Sequence, residues 1–171
     1  MIRLEETTFI HAPIERCFDL SRSVEVHLLA SVHSGEQALA TGGVTTGLVG
    51  LSQEVMWRAK HFGVWQNLTS RTTAMDSPRY FQVTMVRGIF RFMQADHLFR
   101  STGSGVTEMK DRFCIAAPFP VFGPIAEVLF LRRYMLALLR ERNAVIKRLA
   151  ESSDWQRYLK SDSDQEGCAS L

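Results

Sequence analysis

A chain of 171 residues and 19.4 kDa fits one ordinary domain, or two only if both are very small. Twenty Lys and Arg stand against eighteen Asp and Glu, which excludes the broad basic footprint of a nucleic-acid binder. With 46% apolar and 22% charged residues, wholesale disorder is excluded too.

Cys17, Cys114 and Cys168 are odd in number and have no paired spacing, so they form neither a disulfide framework nor a CxxC metal pair. The opening MIRLEETTFIHAPIERCF places acids where a secretory signal needs an unbroken apolar stretch. The longest apolar window, 125–139, is broken by Glu127, Arg132 and Arg133 and falls short of the roughly 20 residues that span a bilayer. A reducing, cytoplasmic location and no stable membrane insertion are expected.

In chain order, residues 1–12 read as a strand that stops at Pro13, which can sit in the first turn of a helix. Ile14, Cys17 and Phe18 give that helix its apolar stripe, and Ser21 or Ser23 can cap a second one ending near Leu29. Residues 34–50 hold glycines 35, 42, 43, 47 and 50, and read as a short strand followed by a mobile loop. From Leu51 the period changes to two. Strands are expected over 53–62, 64–74, 79–88, 90–101 and 106–116, joined by short turns. Consecutive strands with short turns make an antiparallel meander with one covered face.

Pro118, Pro120 and Pro124 end the sheet, and a helical pattern then runs over 122–152. Leu129, Met135, Leu138, Leu139, Val145, Ile146 and Leu149 form its apolar stripe. The basic residues Arg132, Arg133, Arg140, Arg142, Lys147 and Arg148 read as a solvated face with Glu127, Glu141 and Glu151 as partners. At 1.5 Å per residue the helix is roughly 45 Å long, enough to cross the domain. Beyond Lys160 the sequence is small and polar, a frayed tail. The domain is therefore set at 1–159 and the tail at 160–171. The fold class is α+β, with a curved antiparallel sheet wrapped around the long C-terminal helix and two short helices after the first strand.

That element order, carried by HAPIERCFDLSRSVEVH from His11, VMWRAKHFGVWQNLTS from Val55, RGIFRFMQADHLF from Arg87 and TEMKDRF from Thr107, resembles the START-like or SRPBCC superfamily. The FPVFGPIAEVLFL and RNAVIK segments complete the likeness to a bacterial single-domain, polyketide cyclase-like member with the helix-grip fold. The resemblance implies a cavity between sheet and helix, and a small hydrophobic partner within it.

Polar residues on covered faces are the informative ones, because burial without a partner is unfavourable. Alternation puts His61 with Trp57, His97 with Met93 and Phe99, and Asp111 between Met109 and Phe113. Arg87 continues the face of Phe81 and Met85 unless a bulge near Gly88 rotates it outward, and it is the expected partner of Asp111. Gln66 and Ser70 join if Val64 and Leu68 point inward. Each of these either pairs across neighbouring strands or meets the polar part of a ligand. The candidate ligand-binding set is Trp57, His61, Gln66, Phe81, Met85, Arg87, Met93, His97, Phe99, Asp111, Phe113 and Met135.

No motif asks for a cofactor, and no local spacing such as HxxxH supports a metal. There is no G-x-S-x-G elbow, and Gly42-Gly43 is not a phosphate loop. The leading function is binding of a lipid, polyketide or aromatic metabolite. The alternative is a cyclase or aromatase-type enzyme in which His61, His97 or Asp111 moves protons. Catalytic residues are not assigned, no nucleic-acid partner is expected, and a homodimer is left open. A protein-interaction module is disfavoured by the charged outer faces.

Overall fold

The computed structural model describes residues 1–32, 36–39, 43–61, 63–116 and 124–159, with backbone only for 61 and 124–129. Strands β1 (Ile2–Ile10), β2 (Gln37–Leu39), β3 (Glu54–His61), β4 (Val64–Asp76), β5 (Tyr80–Arg87), β6 (Phe92–Gly103) and β7 (Val106–Ala116) form one antiparallel sheet. Its order is β1-β7-β6-β5-β4-β3-β2, a meander whose last strand closes onto the first. Helices α1 (Ile14–Ser21) and α2 (Val24–Ala30) follow β1, and α3 (Pro124–Glu151) follows β7. This is the expected α+β helix grip, and each strand of the meander ends within two residues of its expected bounds. Tail residues 160–171 lie outside the described residues.

Local chemistry sets the helix starts. Pro13 stands one residue ahead of α1, in extended conformation at φ −58°, rather than in the first turn. Ser23 caps α2 by accepting a hydrogen bond from the Val26 N–H at 3.4 Å. The main core lies where α1 and the end of α3 meet the sheet. Phe18 is the hub there, with edge-on contacts to Phe81 and Phe99 at 5.5 Å each.

The described part of the glycine-rich stretch is not a free loop. The Gly47 N–H donates to Glu25 Oε1 at 2.7 Å, its carbonyl accepts from Val24, and Leu48 bridges to Ser23. Residues 35, 40–42 and 118–123 lie outside the described residues. Gly43 has φ +140° and leaves no room for a Cβ against the Glu54 carbonyl, which the next residue's N–H reaches at 2.8 Å. Gly43→Ala is therefore expected to lower stability by about 1–3 kcal/mol in a urea titration. An unchanged midpoint would show that this approach to β3 is dispensable.

Candidate functional site

Inward-facing residues of β3 to β7 and the facing side of α3 enclose a cavity of ≈ 300 Å³. Val55, Trp57 and Ala59 come from β3, and Phe81 and Val83 from β5. Met93 and Ala95 of β6 and Phe113 of β7 continue the wall, and Leu131, Met135 and Leu138 of α3 close it. Strand alternation explains the lining, since every second residue of each strand must point inward. His27 of α2 forms part of the wall beside Trp57, ring centroids 4.1 Å apart, and its Nε2 lies 3.2 Å from Glu36.

Among the expected site residues, Trp57, Gln66, Phe81, Met93, His97, Phe113 and Met135 line the cavity. Four others do not. Met85 lies against Gly88, and Phe99 is in the core under Phe18. Asp111 is fully buried behind His97 rather than in the wall. Arg87 is exposed, and the expected Arg87–Asp111 pair is replaced by a different one. The reason is a register shift: Ser70 pairs Met85 but Thr69 pairs Arg87, so β5 carries one extra residue there. Such a bulge reverses the alternation and sends Arg87 outward. For His61 only the backbone, paired with Val64, is described.

The Gln66 side-chain oxygen is buried without a hydrogen-bond partner, whereas Trp57 satisfies its Nε1–H on Ser70 Oγ at 3.0 Å. A buried acceptor left unpaired is unfavourable by about 1–3 kcal/mol.

Far along the sheet from Gln66, the polar cluster forms where β6, β7 and α3 meet. His97 and Asp111 are direct register partners, and Nδ1 lies 2.5 Å from Asp111 Oδ1. Asn143 donates to the other carboxylate oxygen at 2.7 Å. Arg142 Nη1 stands 3.8 Å from Oδ1, and its Nη2 donates to the Ser21 carbonyl at 2.8 Å. The His97 ring stacks on Phe81 at 4.4 Å and meets the edge of Phe113 at 5.9 Å. Among the described residues no three His, Cys, Asp or Glu groups gather as a metal would require.

Burial alone would push the Asp111 carboxyl up, but His97, Arg142 and the Asn143 hydrogen bond together hold it below its ordinary value. Burial, and then the Arg142 charge, lower the His97 imidazole despite the opposing pull of Asp111. The resting cluster is thus a carboxylate, a guanidinium and a neutral imidazole. Nδ1 carries its proton toward Asp111, so Nε2 is an acceptor, and it is the ring nitrogen left for a molecule in the cavity.

Neither Arg142 nor Asn143 was expected in the site, yet the sequence held a signal. Arg142 follows Leu138 and Leu139 by four and three residues and precedes Ile146 by four, so it lies in the apolar stripe itself.

No family model matches the chain, and no curated protein matches it by sequence. Solved structures do. A START superfamily protein from Mycobacterium smegmatis superposes with a TM-score of 0.65 at 10% identity, covering 87% of this chain and 97% of that one. The di-domain ARO/CYC protein BexL of the BE-7585A biosynthetic pathway gives 0.60 at 16% identity, over 86% of this chain and 46% of its own. Major latex-like protein 151 from Panax ginseng gives 0.56 at 13% identity, over 83% and 95%. With that topology and these superpositions, the chain has the START-like helix-grip fold.

Proposed function

We propose that the protein binds a small, mainly apolar molecule in the cavity between sheet and α3. The observation that carries this reading is a mainly apolar void of ≈ 300 Å³ whose wall includes a buried polar cluster, His97 and Arg142, besides the His27–Glu36 pair. Apolar walls with a few placed polar groups are how small-molecule sites combine affinity with orientation. A lipid, polyketide or aromatic metabolite fits that description, and Trp57, Phe81, Met93, Phe113 and Met135 would contact its body. The superposition on an ARO/CYC protein supports a second reading, an enzyme in which His97 moves a proton.

Native mass spectrometry of the freshly purified protein, followed by extraction, tests the first reading. A retained molecule of a few hundred daltons is expected. Ala95, 3% exposed in the cavity floor, offers a control. Ala95→Leu adds side-chain volume to the cavity wall, so affinity for the extracted molecule should fall at least about tenfold, with a stability loss of no more than about 1–3 kcal/mol. Undiminished affinity would place the ligand elsewhere.

A further inference from the structure

The geometry points to the His97–Asp111–Arg142 cluster as a site that takes the proton of an acidic hydroxyl, a phenol or enol on an apolar body, and holds the molecule as its anion. This rests on the binding role proposed for the cavity and goes beyond it by fixing the chemistry of the ligand's polar end.

The charge count decides among ligand classes. Asp111 and Arg142 cancel, and His97 is neutral, so the empty cluster carries no net charge. The charged groups acting on His97 are Asp111 of β7, Arg142 of α3 and its neighbour Asp96. The last belongs to an outward cluster, where it accepts from Tyr80 at 2.7 Å and from Gln82 at 2.8 Å. A neutral weak acid adds no charge whether or not it transfers its proton. An amine cation would add a positive charge beside Arg142, which a low-dielectric site penalises heavily. A carboxylate would bring an uncompensated negative charge unless His97 drew a proton from water. An ordinary alcohol could donate a hydrogen bond, but it is far too weak an acid to ionise.

On transfer the ligand O–H bond breaks, its electron pair stays on oxygen, and a new N–H bond forms at His97 Nε2. Asp111, held by Asn143 at 2.7 Å, stabilises the imidazolium through Nδ1. Arg142 spends one N–H on Ser21 and a long contact of 3.4 Å on Asn143, leaving further donors of its five for the oxyanion. Phe81 and Phe113 against the ring keep water from competing.

The test uses the whole chain with para-nitrophenol, whose phenolate absorbs visible light and whose phenol does not. Para-nitroanisole, its methyl ether, has no proton to give and serves as the comparison. In buffer about one pH unit below the free probe's pKa, the bound probe should show the phenolate band. The phenolate-to-phenol ratio should exceed that of free probe at least about tenfold, a shift of one unit. The ether should bind more weakly. His97→Gln should still bind the probe but return the ratio to the free value. Should that variant not fold, Arg142→Lys, which keeps the cation, is expected to keep the band, and its loss there would overturn the proposal. A neutral-phenol spectrum on the wild type, or an undiminished band in His97→Gln, overturns the proton transfer while binding of both probes leaves the cavity reading intact. If neither probe binds and nothing is retained on the purified protein, both fall.

Discussion

Asp111→Leu is expected to lose about 3–5 kcal/mol of folding stability, the loss seen when one member of a buried charge pair is removed. The carboxylate has no exposure and is the only acid within reach of Arg142 among the described residues. Without it a guanidinium whose side chain is 13% exposed faces apolar surroundings with the Ser21 carbonyl and the Asn143 amide oxygen as its remaining partners. Adding Arg142→Met removes that stranded charge. The double variant should therefore be more stable than Asp111→Leu alone, a non-additivity of the kind that contacting charges show. Arg87→Met should change stability by no more than about 0.5 kcal/mol, because Arg87 is exposed and away from Asp111. Urea titrations of these three variants and of Arg142→Met alone decide the matter. Simple addition of the losses from Asp111→Leu and Arg142→Met would mean that the two charges do not interact.

The contrast between Arg87 and Arg142 shows where the sequence was legible. A period of two through β3 to β7 was enough to place His97 and Asp111 on the covered face, because alternation survives wherever the ladder is regular. Each bulge resets that count; Gly88 marks a place for one, but the alternation itself does not fix whether it forms or at which residue. Arg142 failed for a different reason. Helical spacing put it in the apolar stripe, but six basic residues in one helix invite the solvated-face reading, which is right for Arg140 with Glu6 and Lys147 with Glu151. The rule that a charge in an apolar stripe needs a buried partner would have linked it to Asp111. Phe99 and Met85 show the remaining gap. Periodicity tells which face is covered, but the depth of the void along that face depends on how α1 and α3 fill it.

Acidification below about pH 6.5, the ordinary histidine value, is expected to weaken the fold through His97. The sign follows from the direction of its shift. Burial and the Arg142 charge lower the folded-state value, so between the ordinary value and the folded one the unfolded chain binds a proton that the native chain does not. Stability then falls with falling pH, with a limiting slope of about 1.4 kcal/mol per pH unit for one proton. Asp111 acts in a separate window. Its folded-state value is also lowered, so its contribution is complete above the ordinary carboxylate value of about 3.9 and fades only as pH drops through the lower folded one. Urea titrations from about pH 8 to 4.5 should therefore show a decline in the wild type that is shallower in His97→Gln, the difference appearing only below about pH 6.5. An imidazolium locked in an ion pair with Asp111 would have a raised value and the opposite trend. The native state would then hold the extra proton, and stability would rise on acidification through that value. A wild-type rise absent from His97→Gln would thus show that His97 is already charged at rest, with no lone pair on Nε2 to accept a ligand's proton.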